Sequence, residues 1–192
     1  MIQFDKVFLT VFAGLALGFA LTFVSVDRGF GFGAVQAGPW VGSPKSGSRD
    51  SDPYTRAALA RSGETPLGSA EGLSFLARND SQGAPLDPRC EYAVRGPAPS
   101  ARWWTLTLMS AEGRLPDTAT GVHGFTSSEI IRDANGGFEI TLAQRARPGN
   151  WLPIANSKPF VLAFRLYDTT VSATSSALDA AAMPQINRKR CE

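Results

Sequence analysis

Residues 160–167 read FVLAFRLY, and this stretch decides the fold of the chain. Its large apolar side chains occupy every second position, which places them on one face of an extended strand. Residues 103–109 (WWTLTLM) and 138–143 (FEITLA) alternate in the same way, and residues 135–137 (NGG) supply a hairpin turn before the latter. Each apolar face requires a second layer to cover it. The pattern therefore predicts a mainly β domain, an antiparallel sandwich or barrel, rather than alternating strands and helices.

Upstream of these strands the sequence predicts a short helix and a spacer. Asp52 is suited to cap a helix that begins at Pro53, and an alanine-rich stretch carries this helix toward Gly63. Residues 29–51 are rich in glycine, proline and serine, and their aromatic residues suit a membrane interface. We therefore expect an anchor over residues 1–28, a flexible spacer over residues 29–51, and a β-domain with one or two short helices over residues 52–192.

A single transmembrane helix is predicted near the N-terminus. Residues 7–26 carry no charge and, at about 1.5 Å per residue, reach about 30 Å, the thickness of a bilayer core. A signal peptide cleaved after Ala37 is the alternative, because Val35 and Ala37 are small residues of the kind that a signal peptidase recognises. The apolar run is longer than the usual signal-peptide core of about 7–15 residues. This length favours a retained anchor that contacts the lipid bilayer through residues 7–26.

The two cysteines bear on the location of the domain. Cys90 and Cys191 both follow the anchor, and a lone pair in an exported domain is typical of a disulfide. Two unrelated buried thiols are the alternative. Together with the anchor, the pair predicts a single-pass inner-membrane protein with its C-terminal domain in the periplasm. Within the anchor, Gly14 and Gly18 form a G-x-x-x-G pattern, which permits a homodimer through close helix packing.

The charged residues argue against several functions. The 19 basic and 17 acidic residues give a formal net charge of +2, without a basic run extensive enough for nucleic acid. The basic residues 188–190 are interpreted as a solvated terminus. His123 is the single histidine and neither cysteine has a C-x-x-C partner, so the sequence predicts no metal and no cofactor. Asp80 and Asp87 flank a turn and are interpreted as turn formers, the carboxylate pair of a glycosidase being the alternative.

Several blocks of the sequence occur in an order that resembles a known family. Residues 150–153 (NWLP), followed by the strand 160–167, resemble the signature of the bacterial family called domain of unknown function 1214. Residues 38–40 (GPW) and 103–108 (WWTLTL) are similar to other blocks of it, and the resemblance covers residues 38–187. It implies a jelly-roll-like β-sandwich. Members commonly form the C-terminal half of a longer protein. In this sequence an anchor stands in place of the first half. The family has no established chemistry to transfer.

The same blocks contain the candidate ligand-binding residues. Arg165 shares a face of its strand with Tyr167, away from the apolar face, where a half-buried guanidinium needs an acceptor. Together with Trp151 and His123, these two residues make up the predicted ligand-binding set. The alternative is architectural, with the Trp151 indole filling the end of the sandwich and Arg165 satisfying loop carbonyls.

The sequence thus favours a membrane-anchored periplasmic module with an interaction or structural role, whose partner is an envelope protein or a glycan. The alternative is a hydrolase or carbohydrate-active enzyme that uses the region of Trp151, Arg165 and His123. A deep pocket in which these polar side chains converge would indicate the enzyme, and a flat aromatic face would indicate the module.

Overall fold

The N-terminal helix is long and apolar, and most of it is exposed. The structure, a computed structural model, describes residues 2–27, 33–62, 65–68, 70–118, 120–154, 159–169 and 180–191. Helix α1 (Ile2–Asp27) contains the whole predicted span, and none of its most apolar stretch is buried. It is therefore a candidate membrane anchor, as predicted. A Cβ added at Gly14 or Gly18 would meet nothing within 4 Å, and the homodimer stays a prediction. Residues 28–32, at the predicted junction of anchor and spacer, lie outside the described residues.

Two β-sheets follow the anchor. In chain order their strands are β1 (Val35–Ala37), β2 (Trp40–Gly42), β3 (Gly72–Ala77), β4 (Cys90–Gly96), β5 (Ala101–Ser110), β6 (Gly124–Thr126), β7 (Phe138–Ala143), β8 (Asn150–Pro153), β9 (Phe160–Thr169) and β10 (Gln185–Cys191). The larger sheet has the order β1-β2-β3-β9-β5-β6, and the smaller has the order β10-β4-β7-β8. Helix α2 (Pro53–Ser62) lies between β2 and β3 along the chain, and a 3₁₀ turn (Ala180–Ala182) precedes β10.

The two sheets enclose one core, which confirms the predicted β-sandwich. The apolar face of β9 is buried, and so is the matching face of β5. Trp104 of the six-stranded sheet contacts Phe138 of the four-stranded sheet, with their ring centroids 4.8 Å apart. The arrangement is compatible with a jelly roll. All strand pairs are antiparallel except β7 and β8, which run parallel.

The parallel pair is the exception to the predicted antiparallel pattern. The connection over residues 144–149 returns along β7, and the pairing spans only the four residues of β8. A loop this short suffices because the strand overlap is short. The buried side chain of Asn150 holds the start of β8, since its amide donates to the carbonyls of Ile131 (2.8 Å) and Glu139 (3.0 Å) and its oxygen accepts from the Ile131 N–H (2.7 Å).

The sandwich begins upstream of the boundary predicted at residue 52. Strands β1 and β2 form a hairpin that pairs with β3, within the stretch predicted as a spacer. Trp40 of this hairpin is fully buried, with its ring centroid 5.5 Å from that of Phe164, and its Nε1 donates to the Pro184 carbonyl at 2.6 Å. Two three-residue strands among glycine, proline and serine carry too little alternation to be recognised from sequence. Cleavage after Ala37 would remove β1 from the sheet.

The basic C-terminal residues are exposed to solvent, as predicted, but they form an edge strand and not a free terminus. Strand β10 pairs with β4 along its length. Arg188 lies 3.1 Å from the buried carboxylate of Asp80, and Arg190 lies 2.9 Å from Glu91. Cys191 lies opposite Cys90 in this pairing, and the predicted disulfide joins them across a sequence separation of 101. These ion pairs therefore help to hold β10 in place at the edge of its sheet.

The predicted short helix is present as α2, and the predicted residue caps it. The carboxylate of Asp52 accepts hydrogen bonds from the backbone N–H groups of Tyr54 (3.0 Å) and Thr55 (3.1 Å). The Thr55 hydroxyl donates to the same carboxylate at 2.5 Å. These hydrogen bonds, that of the hydroxyl foremost, lower the pKa of Asp52 because they stabilise its ionised form.

Candidate functional site

The outer face of the six-stranded sheet carries two of the four predicted ligand-binding residues. Arg165 and Tyr167 alternate with buried core residues of β9, so their side chains lie on the solvent side of the sheet. In register, Arg165 lies between Ser74 of β3 and Thr105 of β5. The predicted sharing of a face by Arg165 and Tyr167 is therefore confirmed.

The half-buried ring of Tyr167 and the exposed ring of Trp103 form a pair, called the aromatic platform below. Their ring centroids lie 6.5 Å apart in an edge-to-face arrangement, and Trp103 is 55% exposed. On the other side of Tyr167 the paired residue of β3 is Gly72. A Cβ added there would come within 2.0 Å of a carbonyl oxygen of β9, so this position requires glycine and places no side chain beside the tyrosine.

Charged groups border the aromatic platform. The guanidinium carbon of Arg102 lies 5.8 Å from the centroid of the Trp103 ring. The same guanidinium lies 3.8 Å from the carboxylate of Asp168, and both side chains are more than two-thirds exposed, so this pair contributes little to stability. Asp168 has a φ of 48°, in the left-handed region that aspartate tolerates better than most residues. The platform is thus an edge-to-face pair of rings, with a cation and an anion beside Trp103.

A cleft of about 800 Å³, called the end cleft below, opens beside the platform. One wall is the connection over residues 96–101, which passes from β4 of one sheet to β5 of the other, and another wall is the turn over residues 135–137. Trp103 lines the end cleft as well, so platform and cleft share an edge. A second volume of about 800 Å³ overlaps it at Arg132 and Phe138. Both are open to solvent.

The polar groups of the end cleft are held in place by the backbone. The Arg132 guanidinium donates to the carbonyls of Gly136 (3.0 Å) and Ser127 (3.2 Å). The carboxylate of Asp133, beside it in the overlapping volume, accepts from the N–H groups of Asn135 and Gly137, both at 2.8 Å. The cleft therefore has a polar wall of fixed geometry, in which hydrogen-bonding groups are oriented before any ligand arrives.

The other two predicted ligand-binding residues lie elsewhere. Trp151 is on β8 of the four-stranded sheet, where its Nε1 donates to the Ala143 carbonyl at 3.0 Å. It alternates with the fully buried Leu152, so the indole lies outside the sheet and does not fill the end of the sandwich. His123 precedes the edge strand β6, and its Nδ1 is buried without a hydrogen-bond partner. Neither the end cleft nor the overlapping volume is lined by any of the four predicted residues.

The two aspartates near the predicted turn have structural roles, as the turn-former interpretation predicted. Asp80 is buried, and its carboxylate accepts from the N–H groups of Gln82 (3.1 Å) and Ala84 (2.9 Å). The Oδ1 of Asp87 accepts hydrogen bonds from the backbone N–H and from the side chain of Arg89. The pKa of Asp87 is lowered to about 2, mainly by its hydrogen bonding with the Arg89 side chain. Asp87 is therefore ionised at neutral pH, which does not suit a general acid.

Sequence reasoning missed Trp103 as a site residue, although the signal was available. Two consecutive residues of a strand point to opposite faces, so only one of Trp103 and Trp104 can enter the core. Trp104 is buried and Trp103 is the exposed one. In the parts of the chain that the structure describes, no three His, Cys, Asp or Glu side chains gather as a metal-binding group.

Fold and surface together define a class: a disulfide-bonded β-sandwich with an open aromatic face, preceded by a candidate membrane anchor. Residues 71–171, just over half of the chain, match the family described as "Protein of unknown function (DUF1214)", and the chain belongs to this family. The family resemblance noted in the sequence is thus confirmed. No curated protein matches the chain.

Two solved structures share the fold. The VPA0106 protein from Vibrio parahaemolyticus is 23% identical over 73% of this chain and 36% of its own, with a TM-score of 0.56. A putative uncharacterized protein from Burkholderia cenocepacia is 18% identical over 92% of this chain and 42% of its own, with a TM-score of 0.51. At these identities the likeness shows the fold alone. The chain spans about two-fifths of the length of these proteins.

Proposed function

We propose that the protein is a single-pass inner-membrane protein whose β-sandwich lies in the periplasm and binds glycan chains at the aromatic platform. The observation that carries this proposal is Trp103, an indole 55% exposed on a rigid strand of a sheet. Burial of such a side chain is favourable in most folds, and an exposed one on a flat face is typical of a binding surface.

The platform suits a sugar ring better than a protein partner. Two aromatic side chains present at most roughly 300–500 Å² of surface. A stable protein interface buries about 800 Å² on each partner around an apolar centre. The C–H face of a sugar ring packs against an aromatic face, and its hydroxyls can exchange hydrogen bonds with Arg102 and Asp168 at the edge. The end cleft continues this polar edge for a longer chain of sugars.

The location rests on α1 and on the disulfide. An exposed apolar helix of spanning length is typical of a membrane anchor, and a disulfide persists in an oxidising compartment. A C-terminal alkaline phosphatase fusion should therefore be active, and the native protein should resist extraction from membranes by sodium carbonate. Recovery of the native protein in the cytosolic soluble fraction would contradict this part of the proposal.

Glycan binding is tested on the full chain in lipid nanodiscs. Titration with soluble peptidoglycan fragments should give a saturable heat signal in calorimetry, and Trp103→Ala should weaken binding at least about tenfold, the cost of losing a central aromatic contact. Trp151→Ala is the matched control, because it removes an indole from the other sheet and should leave the affinity unchanged. Equal loss in both variants, or the absence of binding, would contradict the proposal. Release of reducing ends would instead indicate the carbohydrate-active enzyme.

A further inference from the structure

Helix α2 is packed against the last turn of the anchor. The Arg61 guanidinium lies 2.9 Å from the carboxylate of Asp27, and its Cζ lies 5.1 Å from the centroid of the Phe23 ring. Ser25 and Val26 are half-buried, whereas the side chains described before them in α1 are exposed. The contact between the two helices thus covers the C-terminal end of α1 and leaves the rest of it free.

This contact sets the depth of α2 relative to a membrane, which rests on the proposed function, in which α1 spans the bilayer. The apolar stretch Phe4–Asp27 has 24 residues. At about 1.5 Å per residue it reaches about 36 Å, against about 30 Å for the hydrocarbon core and about 40–45 Å with the headgroups. The last turn of α1 therefore emerges among the headgroups. Arg61, which contacts that turn, lies at the same level.

The exposed side of α2 is basic. Its exposed residues recur at helical spacing and lie on one side, whereas the other side is partly buried. These exposed residues are Pro53, Arg56, Ala57, Ala60 and Arg61. Lys45 and Arg49, in the turn before α2, are also exposed, and Arg56 donates to the Arg49 carbonyl at 2.6 Å. Residues 43–62 contain four basic and two acidic residues. Arg61 is paired with Asp27 and Asp52 is occupied as the helix cap, which leaves three basic residues and one acidic residue, Asp50.

We propose that this basic surface, formed by Lys45, Arg49 and Arg56, lies on the membrane and binds the phosphate groups of anionic phospholipids. It is continuous with the membrane segment through the contact of Arg61 with α1, and its net positive charge is complementary to anionic phospholipid headgroups in the leaflet that it faces. The β-sandwich is then held against the bilayer by α2 and is not suspended on a flexible spacer.

The test uses the full chain with an environment-sensitive dye on Ala57→Cys, in the middle of the exposed side of α2. It is reconstituted in nanodiscs of phosphatidylcholine, with or without phosphatidylglycerol, that contain a lipid with a spin label in its headgroup. The dye should be quenched more strongly in the anionic discs. Arg49→Gln/Arg56→Gln should lower the ratio of docked to undocked helix roughly 25-fold, since each basic residue near an anionic surface contributes about a fivefold effect.

Two further variants separate lipid binding from misfolding and from general charge. Arg49→Lys/Arg56→Lys keeps the charge and should keep the quenching, while Arg114→Gln/Arg145→Gln removes two exposed arginines elsewhere and should leave it unchanged. An unquenched dye in anionic discs, with the chain still resistant to carbonate extraction, would overturn the docking of α2 alone. Quenching that is the same in both discs and in all variants would overturn the recognition of lipid charge. Extraction of the chain by carbonate would instead refute the anchor.

Discussion

Replacement of Trp40 tests whether the N-terminal hairpin belongs to the cooperative core. Its indole is fully buried, packs on Phe164 and donates to the Pro184 carbonyl. Trp40→Ala should cost about 3–5 kcal/mol as a large-to-small core change. Trp103→Ala, on the outer face of the same sheet, removes mainly the edge-to-face contact with Tyr167 and should cost only about 1 kcal/mol. For a domain of this size about 1 kcal/mol lowers Tm by about 2–4 °C.

The assay is thermal unfolding of the full chain in detergent micelles, followed by circular dichroism. Trp40→Ala should melt roughly 6–20 °C below the wild type, and Trp103→Ala roughly 2–4 °C below it. Trp40→Phe keeps most of the apolar volume but leaves the Pro184 carbonyl without its donor, so it should cost about 1–3 kcal/mol. If Trp40→Ala melts no lower than Trp103→Ala, the hairpin is not part of the core, and residues 33–42 behave as the spacer that the sequence predicted.

Three further predictions concern the remaining interactions. Reduction of the Cys90–Cys191 disulfide should cost about 4–5 kcal/mol in the chain-entropy model, seen as a lower denaturant midpoint, and thiol labelling of the denatured, unreduced protein should find no free sulfhydryl. Arg89 lowers the pKa of Asp87 from 3.8 to about 2, so between these pH values the unfolded chain binds a proton that the folded chain does not. The ionised Asp87 therefore contributes its full stabilisation at neutral pH, and this contribution should be lost as the pH falls from about 4 toward 2. Asp87→Asn should therefore flatten the acid side of the denaturation profile. Trp151→Phe removes a single hydrogen bond to β7 and should cost about 1 kcal/mol in urea unfolding, well below Trp40→Ala.

The strands of the sandwich centre could be predicted because their alternation is local. Residues 138–143 coincide with β7, and residues 103–109 and 160–167 fall within β5 and β9. The outer strands could not be predicted, because the interactions that hold them in place join residues far apart in the chain. Strand β10 is rich in charge, and its place depends on the pairing of Arg188 and Arg190 with carboxylates far away in the chain. Strands β1 and β2 are held by the buried side chains of Ala37 and Trp40, which pack into a core built from distant parts of the chain.

The site was predictable only where strand alternation governs it. Arg165 and Tyr167 share the outer face because they are two residues apart, and the sequence shows that directly. Trp151 was grouped with them because it lies nearby in sequence, but the connection after β8 leads into the opposite sheet. The assignment of each strand to one of the two sheets depends on tertiary packing. A local sequence pattern does not predict it.

The route by which the chain enters the sandwich determines how the domain responds to mechanical tension. A pull on the anchor reaches β1, the outermost strand of its sheet, which among the described strands pairs with β2 only. The disulfide closes residues 90–191 into a covalent loop, so a force between anchor and C-terminus can extend only the chain before Cys90. Unravelled over residues 35–90, that chain would lengthen to roughly 190 Å at about 3.4 Å per residue and then stop. Strands β5 and β9, which carry the aromatic platform, lie inside the loop and bear none of that load.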